Sequence, residues 1–153
     1  MNVSNLPFAS VFVLSFLLGS CQSTHTPAAH SLSPPTAELH TTRWSLYSLD
    51  TEPLSSGISS GNAIYLQLSA TETQAEGQIG CNRFRGSFEL PGEGKLRFGR
   101  VLLTKMACPE LNIEGMFMQA LRDTRSYRIS GDTLRLYGDK TAASLAELLA
   151  TKP

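Results

Sequence analysis

Two cysteines lie in the part of the chain that is composed like a folded domain. Cys81 stands between Gly80 and Asn82, and Cys108 precedes Pro109. Each is the only intramolecular cysteine partner of the other in that part. The pair is compatible with a structural disulfide, two buried thiols, a metal-binding pair or a redox pair. A metal site would need further Cys or His ligands and a redox C-x-x-C motif is absent, so the last two are the weakest interpretations.

The polar groups beside Cys81 predict little catalysis. Arg83 and Arg85 share a strand face and could bind an anion with their planar guanidinium groups, but the solvated side of an amphipathic strand is the preferred interpretation. Asn82 suits a turn that hydrogen-bonds the backbone better than it suits a catalytic amide. No histidine follows His40, so neither a Ser-His-Asp nor a Cys-His arrangement can form in the domain. We therefore expect a protein that is not an enzyme.

The N-terminal residues 1–20 predict a signal peptide. Leu6 to Leu18 is apolar and uncharged, and is shorter than the roughly 20 residues that span a bilayer. The following Gly19-Ser20-Cys21 resembles a bacterial lipoprotein signal, in which Cys21 becomes the lipidated N-terminus. An ordinary signal peptide, or a leader with an incidental cysteine, is the alternative. Gln22 after the cysteine implies an outer-membrane lipoprotein that faces the periplasm.

Residues 21–42 predict a lipidated cysteine followed by a disordered Ser/Thr/Pro linker. The three histidines of the protein, His25, His30 and His40, all fall in this segment. Their spacing fits no fixed coordination geometry, so we expect no metal and no cofactor. If the leader exports the chain, Cys81 and Cys108 enter an oxidising compartment, which favours the disulfide.

The remainder, residues 43–153, predicts one domain. All 13 basic residues of the chain lie at or after Arg43, and only one of the 13 acidic residues, Glu38, precedes it. The domain is therefore almost neutral and has no electrostatic reason to bind nucleic acid.

Alternating apolar residues and turn signals predict antiparallel strands around one helix. The helix begins near Pro109, and its apolar stripe, from Ile113 to Thr124, is expected to pack on the sheet. A bend is expected at residues 80–82, where Gly and Asn accept positive φ. The segment 142–150 is compatible with either a helix or a closing strand. The predicted strands are Arg43–Leu49, Ala63–Leu68, Gln74–Ile79, Arg83–Leu90, Lys95–Leu103, Tyr127–Ile129 and Leu134–Tyr137.

The order of these features resembles the META domain of the HslJ-type bacterial heat-shock lipoproteins. The resemblance rests on Gly80-Cys81-Asn82-Arg83-Phe84-x-Gly86, on Thr104-x-Met106-x-Cys108, and on the helix and hairpin that follow. It implies an α+β fold: a small antiparallel, partly closed, barrel-like sheet of about seven to eight strands with one amphipathic helix. It also implies residence in the cell envelope and a link to stress and to motility or secretion, without an enzymatic activity.

Two non-enzymatic functions follow as hypotheses. The first is an envelope stress or assembly factor that binds a protein partner, which predicts an exposed apolar patch. The second is a carrier of a lipid or other apolar ligand, with inhibition of a cell-wall hydrolase as a related alternative. The carrier hypothesis predicts an interior cavity lined by Leu66, Phe84, Phe88, Phe98 and Phe117.

Overall fold

The structure is a computed structural model that describes residues 37–54, 64–107, 111–139 and 142–151. The predicted signal peptide, Cys21, most of the linker and Cys108 lie outside these ranges. Among the described residues, no helix has the length and apolar character needed to cross a membrane.

One helix and nine strands form the described part of the chain. They are β1 (Arg43–Leu49), β2 (Glu52–Pro53), β3 (Tyr65–Leu68), β4 (Gln74–Ile79), β5 (Asn82–Glu89), β6 (Arg97–Leu103), α1 (Leu111–Asp123), β7 (Ser126–Ser130), β8 (Thr133–Tyr137) and β9 (Ser144–Thr151). The strands form one antiparallel sheet in the order β6-β5-β4-β3-β1-β9-β8-β7, and β2 pairs with β1. The predicted α+β class is confirmed.

The sheet curves toward closure but does not close. Among the described residues, a single bridge joins its two ends, between Lys95, just before β6, and Ser126, the first residue of β7. Two backbone hydrogen bonds flank the bridge, from Leu96 N–H to the Arg125 carbonyl at 3.2 Å and from Tyr127 N–H to the Gly94 carbonyl at 2.9 Å. The barrel is therefore partly closed, as the resemblance implies.

The ambiguous segment 142–150 is a strand. Ser144, Ala146 and Leu148 are buried at every second position of β9, which lies between β1 and β8. The spacing of Leu145, Leu148 and Leu149 that favours a helix is overridden, because both neighbouring strands offer open backbone hydrogen bonds.

The domain begins earlier than the predicted boundary at Arg43. Leu39 is buried, and the Trp44 indole N–H donates to its carbonyl at 3.1 Å. His40 forms a bridge with Leu68, and its Nδ1–H donates to the Ser69 carbonyl at 2.9 Å. Residues 37–42 are therefore part of the fold and not of a disordered linker, because Leu39 provides an apolar anchor inside an otherwise polar segment.

The helix packs on the concave side of the sheet, as its stripe predicts. Phe117, Ala120, Leu121 and Thr124 are buried, and α1 contacts β6, β9, β1 and β8. Met116 belongs to the stripe in sequence but is 47% exposed. Leu90, predicted to extend the apolar face of β5, is 40% exposed because the strand ends at Glu89.

Candidate functional site

The Gly-Cys-Asn motif is joined to the Thr-x-Met motif by one buried side chain. Asn82 opens β5 and is 1% exposed. Its Oδ1 accepts from the Met106 backbone N–H at 2.8 Å and from the Thr104 hydroxyl at 3.0 Å. Its Nδ2 donates to the Met106 carbonyl at 3.2 Å and to Glu114 Oε2 at 2.7 Å. Asn82 lies directly after the turn and not in it, and its amide hydrogen-bonds the backbone of Met106 and connects a strand, the segment after β6 and the helix.

Thr104 continues the pairing of β5 and β6 beyond the end of β6. Its backbone N–H donates to the Arg83 carbonyl at 3.0 Å, and its hydroxyl accepts from the Arg83 N–H at 3.0 Å. The same hydroxyl donates to Asn82. A threonine is suited to this position because one hydroxyl can donate and accept at the same time.

The motif as a whole forms a structural joint, meaning that its hydrogen bonds hold β5, the segment after β6 and the helix together. Asn82 makes at least four hydrogen bonds within the domain, so its polar atoms are engaged by protein groups. Glu114, which the sequence places only as an acidic residue early in the helix, is the partner that sequence reasoning misses. No spacing rule relates it to Asn82, because the two meet through the fold.

Cys81 lies in the turn between β4 and β5. Gly80 takes φ = 57°, and the Gln78 side chain donates to its carbonyl at 2.9 Å, so the bend predicted at residues 80–82 falls here. Cys81 is half-buried. Because Cys108 lies outside the described residues, the disulfide between them stays a prediction, as does lipidation of Cys21.

The five residues predicted to line an apolar cavity belong to the hydrophobic core. All five are buried, and the rings of Phe84 and Phe117 pack edge to face at 6.2 Å between centroids. Phe84 also lines a cleft at the surface of the domain. These five residues therefore lend the carrier hypothesis no support.

The cavity that Phe84 lines is a cleft of about 380 Å³ on the outer face of β3–β6, called here the arginine cleft. Its lining residues are Tyr65, Glu76, Gly77, Arg83, Phe84, Arg85, Leu102, Leu103 and Thr104. A second cavity shares Arg85 and Leu102 with it and also includes Arg100. A bulge in β6, where the register with β5 shifts between Gly86 and Phe88, precedes Leu102. Sequence reasoning found Arg83 and Arg85 but neither Tyr65 nor Arg100.

The arginines in and around the cleft differ in the groups that they contact. Arg85 forms an ion pair with Glu76 at 3.2 Å, and the Arg43 guanidinium lies over the Tyr65 ring, 3.7 Å from its centroid. In the part of the chain that the structure describes, no carboxylate lies within ion-pair distance of Arg83.

Elsewhere on the sheet, an arginine is paired across strands. Arg135 of β8 faces Glu147 of β9, and its Nε donates to the Glu147 carboxylate at 2.8 Å. This hydrogen bond raises the pKa of Arg135 above its ordinary value, with the attraction of the Glu147 charge adding to the effect. Because Glu147 already supplies a carboxylate to this guanidinium, Arg135 is a poor candidate for binding an external anion.

The comparisons with known proteins identify the fold. The sequence matches the META domain family over residues 37–149, which includes the early start seen at Leu39. The chain is similar to a protein of Burkholderia xenovorans solved by NMR, with 28% identity and a TM-score of 0.58 over 83% of this chain and 97% of that one. It also shares its fold with a crystal structure of a DUF4847 family protein from Bacteroides vulgatus, with 13% identity and a TM-score of 0.52 over 74% and 93% of the two chains. No curated protein matches the sequence. A match that extends over most of the chain, together with the motif joined at Asn82, shows that this protein belongs to the META domain family.

Proposed function

We propose that this protein is a lipid-anchored envelope protein whose META domain is not an enzyme and works by contact with another envelope protein. The observation that carries the proposal is the engagement of Asn82, whose amide forms at least four hydrogen bonds inside the domain. The most distinctive polar group of the motif thus serves the structure. Contacts with other molecules would then be made by residues on the surface of the domain.

The surface next to the motif carries apolar side chains. Leu102 is 62% exposed and Met106 is 59% exposed, and they lie on either side of Thr104 in the sequence. The backbone of Met106 is fixed by Asn82, so its side chain is presented from a rigid position. Exposed apolar residues held in place in this way suit a protein interface.

The N-terminal leader sequence supports the proposal that the protein is anchored in a membrane. Leu18-Gly19-Ser20-Cys21 resembles a lipoprotein signal, and residues 22–36 would tether the domain to a lipid on Cys21. The location is the periplasmic side of an outer membrane, and a role in the stress response or in envelope assembly follows from the family resemblance.

Photo-crosslinking in the living envelope tests the partner. A photo-reactive amino acid at Leu102 or at Met106 is expected to give a discrete cross-link to another envelope protein. The same amino acid at Arg128, which is exposed on β7, is expected to give none. The Cys21→Ser variant, which lacks the lipid, is expected to lose membrane association and most of the cross-link. Equal cross-linking from all three positions, or none from any, would overturn the proposal.

We also infer a disulfide between Cys81 and Cys108. Asn82, the neighbour of Cys81, holds the backbone of Met106, two positions before Cys108 in the sequence. In an oxidising compartment the closed loop would contribute about 3–4 kcal/mol to the free energy of unfolding. The intact mass of unreduced protein is expected to show a deficit of two protons. A reducing agent should lower the unfolding free energy of the wild type but not that of a Cys81→Ala, Cys108→Ala double variant. Two thiols that react with an alkylating agent before reduction would contradict this inference.

A further inference from the structure

The arginine cleft gathers positive charge on one face of a nearly neutral domain. Arg83 and Arg85 line it, Arg100 lies in the adjoining cavity, and Arg43 lies over Tyr65 at its margin. Two carboxylates, Glu76 and Glu72, line the same cavities, so the four arginines leave a positive excess of two. One of the cavities elsewhere on the domain is instead lined by two carboxylates, those of Asp50 and Asp123. The domain therefore has a cationic side that would attract an anion and keep it near the cleft.

The two cleft arginines differ in what they already bind. Arg85 is held by Glu76 at 3.2 Å, although both side chains are more than half exposed. Arg83 stands two positions away on the same strand face and, among the described residues, is not in an ion pair. An exposed ion pair of this kind contributes little to stability, so its arginine can turn to a better anion at small cost.

The walls of the cleft are apolar as well as charged. Leu102, Leu103 and the Tyr65 ring line it beside the arginines. Its volume of about 380 Å³ exceeds that of an inorganic anion and falls in the range of sites for small organic ligands. The occupant should therefore carry an organic group next to its negative charge.

We propose that the arginine cleft binds a phosphate ester, with Arg83 and Arg85 on the phosphate oxygens and Leu102 and Tyr65 beside the organic part. Guanidinium groups match phosphate geometry because each offers parallel N–H donors, and two of them carry enough positive charge for either a phosphate monoester or a phosphodiester. The phosphate has two sources of the same chemistry, an anionic lipid headgroup or a soluble phosphate ester. The site shares Leu102 with the protein contact proposed above, but Arg83 and Arg85, which would hold the phosphate, are not part of that contact.

Glu76 acts in this site as an internal competitor. Its carboxylate occupies Arg85 in the absence of a ligand, and a phosphate must displace it or bind beside it. Removal of this charge should strengthen binding, whereas removal of Arg83 should weaken it. Because general electrostatics gives the same two signs, a specific site is recognised by comparing Arg83→Gln with the loss of an equal charge at Arg128, far from the cleft in the strand order.

The test is a titration of the full chain, purified in maltoside micelles, followed by the NMR signals of the arginine Nε–H groups. The first probe is glycerol 3-phosphate at constant ionic strength, and the second is phosphatidylglycerol added to the micelles, with phosphatidylcholine as its control. We expect saturable shifts of the Arg83 and Arg85 signals in the wild type. Arg83→Gln should weaken binding at least tenfold, and Glu76→Gln should strengthen it severalfold. Arg128→Gln, the matched loss of an exposed arginine on β7, should change it less than twofold.

The two probes distinguish the sources. Shifts with phosphatidylglycerol that glycerol 3-phosphate reverses support a lipid headgroup, and shifts with glycerol 3-phosphate alone support a soluble ester. The proposal is overturned if neither probe gives saturable shifts, or if Arg128→Gln weakens binding as much as Arg83→Gln. All three variants should unfold at the wild-type temperature, because these side chains are exposed.

Discussion

Replacement of Asn82 by alanine is expected to lower the free energy of unfolding by about 4 kcal/mol. The substitution removes the partner of the Met106 N–H and carbonyl, of the Thr104 hydroxyl and of the Glu114 carboxylate in one step. A hydrogen bond contributes about 0.5–1.5 kcal/mol, and one to a charged group such as the Glu114 carboxylate about 1.5–3 kcal/mol, so four bonds sum to about 4 kcal/mol. Thr104 and Met106 are exposed and Glu114 is half-buried, so water that reaches them would offset part of this sum. Equilibrium unfolding in urea measures the effect. A loss below about 1 kcal/mol would show that the joint is not needed for stability.

The Asn82→Asp variant tests the same joint through its pH dependence. The introduced carboxyl keeps the acceptor that faces Met106 N–H and Thr104, but it places an oxygen in front of the Glu114 carboxylate, where Nδ2 donates at 2.7 Å in the wild type. Two carboxylates this close share one proton, so the pKa of the pair is raised in the folded state. The stability that depends on this proton is fully present below about pH 4, which is the pKa of these carboxyls in the unfolded state. It is lost as the pH rises through the higher pKa that the pair has in the folded state.

We therefore expect Asn82→Asp to be close to the wild type in stability near pH 4 and much less stable at pH 7. The matched control is Asn112→Asp, which makes the same chemical change at an exposed position in the first turn of α1. There the new charge lies near the helix N-terminus and should stabilise slightly at pH 7. Urea unfolding at both pH values gives the comparison. A stability difference between Asn82→Asp and the wild type that did not vary with pH would contradict the shared proton.

Much of the fold was predictable because its signals are local. A few neighbouring residues are enough to recognise each of three patterns: the alternation in β1 and β4, the glycine at the bend, and the apolar stripe of α1. The start of the domain and the form of the last segment, which the sequence left open, depend on contacts that the local pattern does not show. Leu39 looks like part of a linker until the carbonyl that receives the Trp44 indole N–H is seen. Residues 144–151 take the strand form because β1 and β8 stand on either side of them.

The site was less predictable than the fold for the same reason. The motif residues were found by resemblance, but the sequence does not say that Asn82 reaches across to Met106 and Glu114. It also gave no reason to connect Tyr65 with Arg83, which come together only through the pairing of β3, β4 and β5. The register of the strands decides which side chains become neighbours on the outer face of a sheet. That register depends on how every strand is placed.

Replacement of Gly77 by alanine is expected to destabilise the domain by about 4 kcal/mol, although it adds one methyl group. Gly77 lies in β4 opposite Leu66 and Phe84. A β-carbon there would collide with the backbone carbonyl oxygen of Tyr65, and it would stand 2.5 Å from the ring carbons of buried Phe84. The Phe84 ring packs in the core and also lines the arginine cleft, so it can yield in part, whereas the carbonyl can move only if β3 and β4 separate. Urea unfolding of the full chain measures the loss.

Two other glycines supply a graded control. At Gly86 a β-carbon would meet the Arg100 carbonyl and a Val101 methyl at 2.9 Å, so Gly86→Ala should cost about 1–2 kcal/mol. At Gly115, in α1, a β-carbon would have no atom within 4 Å apart from the neighbouring backbone of the helix itself, and Gly115→Ala should stabilise by up to about 1 kcal/mol because alanine favours a helix.

A second substitution separates the two collisions at Gly77. Because a backbone carbonyl in a paired strand has less freedom than a ring, we expect the Tyr65 oxygen to dominate. Phe84→Leu should then recover little of the stability that Gly77→Ala loses. A large recovery would assign the cost to the ring, and a Gly77→Ala variant no less stable than Gly86→Ala would show that β3 and β4 are not held together as tightly as their pairing indicates.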